Sequence, residues 1–265
     1  MIAIAALMMT LAHHAATDAL SLAENGGTDY RIAVSADASP SEKHAAKELA
    51  AFLRTISGAE FPVIDAQGPA DGNDPMILVG PTAAEPIIAS SEIETLGAEG
   101  YILRTKGKTL AIAGGKPRGT LYGVYSFLED ELGCRWFTPE VSRIPRKTSL
   151  STQPLDRRFV PRLEYRSTDY PNSRDGDFAA RNKLNGTHGH LDERHGGKIS
   201  YGAFVHTFNS ILDPNQYFDP HPEYFSEVNG KRVRERTQLC VTNPEVEKIA
   251  IDKVREWIRD RPGAT

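Results

Sequence analysis

The sequence predicts an α/β fold: an accessory domain built as a sheet with helices on one face, followed by an incomplete (β/α)8 barrel. Three observations predict it. Up to about residue 145, short apolar runs of strand length alternate with helix-period segments in the order strand, helix, strands, helix, strand, which suits a sheet covered by helices. After a stretch marked by Pro145, Pro154 and Pro161, the texture changes to short apolar runs between long polar, glycine-bearing loops, the pattern that opens a (β/α) barrel. Such a barrel takes about 250 residues, so residues 162–265 supply only its first part.

The first sixteen residues, MIAIAALMMTLAHHAA, read as the apolar region of a secretory signal peptide, although no Lys or Arg precedes them and no A-x-A site ends them. Residues 1–28 are therefore expected to be a signal peptide and leader, and the protein to be secreted or periplasmic. An ordinary buried segment is the alternative. The run is too short to span a bilayer.

The accessory domain is expected over residues 29–145. Asp29 to Ser35 alternates as a strand does. Ser39-Pro40 opens a helix to Ser57, with Ala45, Leu49, Phe52, Leu53 and Ile56 on one face and Gly58 as its stop. Phe61 to Ile64 and Met76 to Val79 read as strands around a Gly, Pro, Asn and Asp loop from Gln67 to Pro75. Tyr101 to Arg104 and Thr109 to Ala113 form a hairpin across Lys106-Gly107-Lys108. In the next stretch, Leu121, Val124, Tyr125, Leu128 and Leu132 recur at helical spacing, with Pro117 in the first turn and Gly133 as the stop. Cys134 to Phe137 then reads as a returning strand.

The turn before that helix carries Gly114, Gly115 and Gly119, close to a phosphate-binding loop without matching one. It lacks the G-x-G-x-x-G spacing of dinucleotide sites and the Gly-Lys-Ser/Thr end of nucleotide hydrolases. Close approach of the helix backbone to the sheet is the better explanation for these glycines.

Residues 146–161 read as a linker by their prolines. In the barrel part, 162–265, strands are expected at Leu163 to Ser167, Phe204 to Phe208 and Gln238 to Val241. Helices are expected around Phe178 to Leu184 and after the Asn243 cap, the latter with Val246, Ile249, Ala250, Val254, Trp257 and Ile258 on one face. The two cysteines, Cys134 and Cys240, have no metal-site spacing and read as separate buried thiols.

A net charge of −4 gives no electrostatic footprint for nucleic acid or an anionic membrane. No cofactor is expected.

The stretch RGTLYGVYSFLEDELGCRWFTPE resembles the N-terminal accessory domain shared by bacterial α-glucuronidases and, more distantly, β-hexosaminidases. HPEYFSEVNGKR (221 to 232) and QLCVTNPEV (238 to 246) resemble an uncharacterised barrel domain found behind it in secreted bacterial proteins. The resemblance implies a glycoside hydrolase-like protein acting on a glycan, including one bearing uronic acid, with catalytic carboxylates on later barrel strands. It also leaves open a non-catalytic carbohydrate-binding or cell-surface protein.

Arg166 is placed by this reading at the end of the first barrel strand, where a guanidinium can bind sugar hydroxyls or a uronic carboxylate, and the relatives place an arginine similarly. A salt bridge to Asp169 or Glu164 is its structural alternative. His206 follows an apolar run, and His221 and Glu223 lie in an aromatic loop with Tyr217, Phe218, Tyr224 and Phe225; these three complete the expected substrate contacts. Asp169, Asp175, Asp177, Asp192 and Glu223 are carboxylates in the right half of the chain, with solvated loops as their ordinary explanation. His188, His190, Asp192 and His195 have ligand chemistry but fit no standard zinc spacing, so a polar loop is expected there and no metal.

Overall fold

The computed structural model describes residues 19–66, 72–234 and 238–262. They form two compact units, one ending at Gly197 and one beginning at Lys198. The proposed signal peptide falls mostly on residues 1–18, outside the described ones. Its expected leader does not stay apart from the fold: β1 (Leu20–Ala23) is largely buried and pairs antiparallel with residues 150–152.

The first unit is organised by a six-stranded sheet. Its strands are β2 (Arg31–Val34), β3 (Val63–Asp65), β4 (Met76–Val79), β5 (Tyr101–Lys106) and β6 (Thr109–Gly114), completed by residues 156–159. Strands β3, β2, β4 and β6 run parallel in that spatial order, and the hairpin β5–β6 turns the far edge antiparallel.

The first long helix, α1 (Pro40–Ser57), forms for local reasons. Ser39 and Glu42 make a reciprocal capping box, Pro40 needs no amide partner, and Gly58 closes the helix at φ 79°. Its buried face is Ala45, Leu49, Leu53 and Ile56, with Phe52 packed at the margin. Short helices α2 (Pro81–Ala84) and α3 (Ser90–Glu94) come between β4 and β5. Helix α4 (Gly119–Ser126) continues as one π-helical turn, Phe127–Glu131, and ends at Gly133, φ 82°. The predicted stripe Leu121, Val124, Tyr125, Leu128 and Leu132 is buried throughout. Pro117 lies in the turn before α4 rather than in its first turn, because the helix starts only at Gly119.

The long helices pack on one face of the sheet, as expected, and the short ones cover the other. Alternation along β6 shows why: Leu110 and Ile112 enter the core with α1 and α4, whereas Ala111 and Ala113 face Ala83, Ala84, Ile88 and Leu96. A strand buried on both faces reads as a continuous apolar run, and Thr109–Gly114 is buried at every position.

Further expectations for the first unit need correction. Strand β7 (Arg135–Trp136) does not return to the main sheet but pairs with β8 (Ser142–Arg143) in a small ribbon. The stretch read as a linker contains β9 (Leu150–Thr152), the partner of β1, and β10 (Asp156–Phe159), the edge strand beside β5. Residues 163–167 form no strand. Arg166 gives its carbonyl to the amides of Asn185 and Gly186 and its amide to the Asn185 side chain, which leaves no ladder to join. Helix α5 (Gly176–Arg181) follows, capped by Asp175 and burying Ala179 and Ala180.

The second unit has a small core of Leu212, Tyr224, Phe225, Leu239 and Val246. Helices α6 (Phe208–Ile211) and α7 (Pro214–Tyr217), the hairpin β11 (Glu227–Val228) and β12 (Lys231–Arg232), and α8 (Pro244–Asp260) surround it. The expected strand at 204–208 is a bend leading into α6, and that at 238–241 is a single bridge between Phe225 and Leu239. Asn243 caps α8 as predicted. Of its apolar face Val246 is buried, while Val254 is 41% and Ile258 66% exposed. No helix of the described residues is long and apolar enough to cross a membrane.

Candidate functional site

The glycine turn before α4 is closed to a ligand. A Cβ on Gly115 would lie 1.6 Å from the Gly97 carbonyl oxygen, and one on Gly119 2.3 Å from that of Gly100. The turn's amides are also spent internally: Gly115 donates to Gly100, Arg118 to Ala98, and Gly114 to the Thr120 hydroxyl. A phosphate cradle needs such amides free. The glycines therefore serve backbone packing.

Beside that turn lies the first unit's main buried charge cluster. Glu99 is 5% exposed, and its Oε1 accepts from Arg118 Nε and from Asn185 Nδ2, each at 2.6 Å. Its Oε2 accepts from Arg166 Nη2. Arg166 also donates from Nε to the Lys183 carbonyl and from Nη1 to that of Leu163, and it lies over the Tyr122 ring. The guanidinium expected to hold a sugar is instead committed to Glu99, a partner distant in sequence and different from both acids weighed for it. Its work is to fasten residues 163–186 to the sheet.

The histidine-rich loop separates into different environments. His188 sits 3.2 Å from Ser167 Oγ and 3.3 Å from Asp169, and His190 is exposed. His195 is 1% exposed, with Nε2 2.8 Å from Asp177 Oδ1 and Nδ1 2.9 Å from Asp192 Oδ1. Against it lies His44 of α1, the ring centroids 5.7 Å apart in an edge-to-face contact. Burial pushes the His44 imidazole below its ordinary value, against the pull of Glu48. Sequence reading missed His44, because nothing local to α1 marks it.

The remaining predicted contacts lie in the second unit. His206 is exposed and takes φ 60°, a left-handed conformation uncommon for a residue other than glycine. It lines an open concavity of about 420 Å³ with Phe204, Thr207, Asn209 and Gln238, and the Tyr201 and Phe204 rings stack at 5.3 Å beside it. His221 and Glu223 are a pair at 3.1 Å, and the His221 ring stacks on Tyr224 at 4.5 Å. Of the aromatic loop, Tyr224 and Phe225 are buried in the core and Tyr217 and Phe218 pack against it, so packing accounts for these rings.

Each candidate carboxylate already has a partner. Asp175 caps α5, Asp192 caps the turn at 193–195, Asp177 pairs with His195, Asp169 with His188, and Glu223 with His221. A glycosidase general acid needs a raised pKa. Glu223 is held below the ordinary range, first by its own backbone amide and then by His221. In Asp177 burial pushes upward, but the His195 hydrogen bond and the Arg194 and Arg181 charges outweigh it. Asp192 is lowered in the same way, burial being outweighed by His195 and Arg194. A lowered value works against the general-acid role in all three.

Both parts of the family resemblance hold. Residues 21–127 match the family described as Glycosyl hydrolase family 67 N-terminus, and residues 136–265 match Domain of unknown function (DUF4838). No curated protein matches the chain. Among solved structures it is similar to a family GH115 4-O-methyl-α-glucuronidase with specificity for decorated arabinogalactans, at 13% identity and TM-score 0.49, over 93% of this chain and 41% of that one. It is also similar to the GH20 β-N-acetylhexosaminidase of Streptomyces coelicolor A3(2), at 15% identity and TM-score 0.41, over 82% of this chain and 40% of that one. The N-acetyl-β-hexosaminidase of Streptomyces plicatus gives 16% identity and TM-score 0.39, over 90% and 43%. The chain thus spans about two-fifths of the length of these structures.

Proposed function

We propose that this chain, whose residues 21–127 match a glycosyl hydrolase family 67 N-terminus, is the N-terminal portion of an exported glycoside hydrolase-like protein that acts on a glycan, with uronic-acid-bearing glycans as the first class to test. That match is the observation that carries the reading. The first unit is its accessory domain: its one ligand-like turn is filled by its own backbone, and its buried charges tie segments together. The second unit opens the barrel, and the exposed apolar positions of α8 support further packing there. The concavity around His206 is the sugar contact, joined by His221 and Glu223 at the surface. Solvent-exposed aromatic and amide side chains suit sugar faces and hydroxyls, and a histidine held at φ 60° fits strain kept for a binding role.

The acid and base carboxylates come from other parts of the full-length protein, since the candidates in this chain are engaged elsewhere. That same engagement favours a second reading, a carbohydrate-binding protein that uses the barrel only as a platform. A glycan array on the full-length protein, repeated with His206→Ala and His221→Ala, tests the contact surface. Loss of one hydrogen bond predicts about a three- to tenfold weaker binding for His206→Ala. Unchanged binding in both variants removes this surface from the reading.

A further inference from the structure

His44, Asp177 and His195 come from three separate segments, yet each offers one ligand atom and these atoms all lie within 4.8 Å of one another. His44 Nε2 is buried and has no hydrogen-bond partner among the described residues. A buried polar atom left unpaired costs about 1–3 kcal/mol, and such an atom points to a missing water or ion. We infer that these three side chains form a site for a first-row divalent transition cation, with Zn²⁺ as its probe.

The donor set suits such a cation. Two imidazole nitrogens and one carboxylate oxygen, completed by water, match the N/O chemistry of four-coordinate zinc. Ligand atoms around tetrahedral zinc stand about 3.3 Å apart, as bonds of about 2.0–2.1 Å require. To reach that spacing the His195–Asp177 pair, now 2.8 Å apart, must open by about half an ångström and His44, within 4.8 Å of both, must close, which small side-chain rotations supply.

The surroundings fit as well. His195 Nδ1 lies 2.9 Å from Asp192 Oδ1 and 3.2 Å from the Asp192 amide nitrogen; cation binding would select the tautomer with its proton on Nδ1, facing the carboxylate, and so free the Nε2 lone pair. A ligating histidine usually carries this carboxylate partner on its other nitrogen. Gly176 makes room for the ring: a Cβ there would lie 2.9 Å from His195 Cε1. The competitor is Arg194, whose guanidinium lies 3.1 Å from Asp177 Oδ1. Its side chain is half exposed and keeps Asp192 as a second partner at 3.3 Å, so it can yield that oxygen without being left unpaired. Bound there, the cation would cross-link α1 to the segment carrying α5 and His195.

The test is titration of the whole chain, freed of metal, with Zn²⁺ by calorimetry, and with Co²⁺ by visible absorption. The expected result is one Zn²⁺ per chain, a higher unfolding temperature with Zn²⁺, and the intense visible bands of low-coordinate Co²⁺. His44→Leu and Asp177→Asn should each weaken binding at least tenfold, whereas His190→Ala, at an exposed histidine of the same loop, should not. Absence of Zn²⁺ binding and of the Co²⁺ bands in the folded wild-type chain would overturn the site. So would binding of equal strength in both ligand variants. The Co²⁺ bands of the wild type decide the matter even if a variant fails to fold.

Discussion

Glu99 shows how one residue can organise a region that its neighbours in sequence do not announce. Its carboxylate serves two guanidinium groups and an amide at 5% exposure. Removing one partner of a buried pair is costly because the other charges stay buried without it, typically about 3–5 kcal/mol. Glu99→Ala should therefore lose stability on that scale in urea unfolding, and limited trypsin digestion should open the chain at Arg174 or Lys183. The cysteines give a second residue-scale prediction. Cys134 is buried, and burial pushes its thiol up to about 11. Cys240 is not buried as the sequence reading expected; it is part-exposed and lowered first by its hydrogen bond with Thr242. Iodoacetamide at pH 8 followed by mass spectrometry should label Cys240 long before Cys134, since the thiolate is the reactive form. Equal labelling would contradict this assignment. Residue roles were the least legible feature of the sequence. Arg166 was recognisable as a directed arginine, but its partner lies 67 positions away, and His44 meets His195 only once α1 and the turn at 193–195 are in place.

Elements with local signals were legible, and those without were not. Ser39, Pro40 and Gly58 bound α1 within a residue of where the sequence puts it, because caps and stops act on the adjacent backbone. The strand β10 was hidden. Its residues Asp156, Arg157 and Arg158 are charged and prolines flank them, yet an edge strand tolerates charge. Its arginines and aspartate find partners only after pairing: Asp156 with Arg104, and Arg157 with Asp130 and Glu131. The turn before α4 allows a sharper test. Gly119→Ala would set a Cβ against the backbone at Gly100 and Gly114, so it should cost at least the roughly 1–3 kcal/mol of core overpacking, read by thermal unfolding. Helix α3 is tied to β5 by Glu92 and Arg104, 2.9 Å apart. The Arg104 hydrogen bond holds the Glu92 carboxyl below its ordinary value, so its contribution is present above the unfolded-state value near 4.3 and lost as pH falls through the folded-state one. Wild type should exceed Glu92→Gln in unfolding temperature at pH 7, and the gap should close below about pH 4. A gap that does not change with pH would show that the pair contributes nothing through its charge.

At the scale of the whole molecule, the α/β class and the sheet with two long covering helices were legible from hydrophobic period alone. The second unit was not, because its short apolar runs support a strand or a turn equally well until neighbours are fixed. Residues 204–208 became a bend into α6, and Leu239 made only a bridge. The extent of the first unit was also hidden, since residues 162–197 fold with the sheet although the sequence texture changes before them. In the proposed function the glycan contact lies in the second unit and the catalytic carboxylates lie outside residues 1–265. Incubation of the full-length protein with glucuronic-acid-capped and N-acetylhexosamine-capped oligosaccharides, with chromatography of released sugars, tests glycan processing most directly. The predicted result is release of the capping sugar by the full-length protein and none by residues 1–265 alone. Release by this chain alone, or a full-length protein that neither cleaves nor binds any glycan, would contradict it.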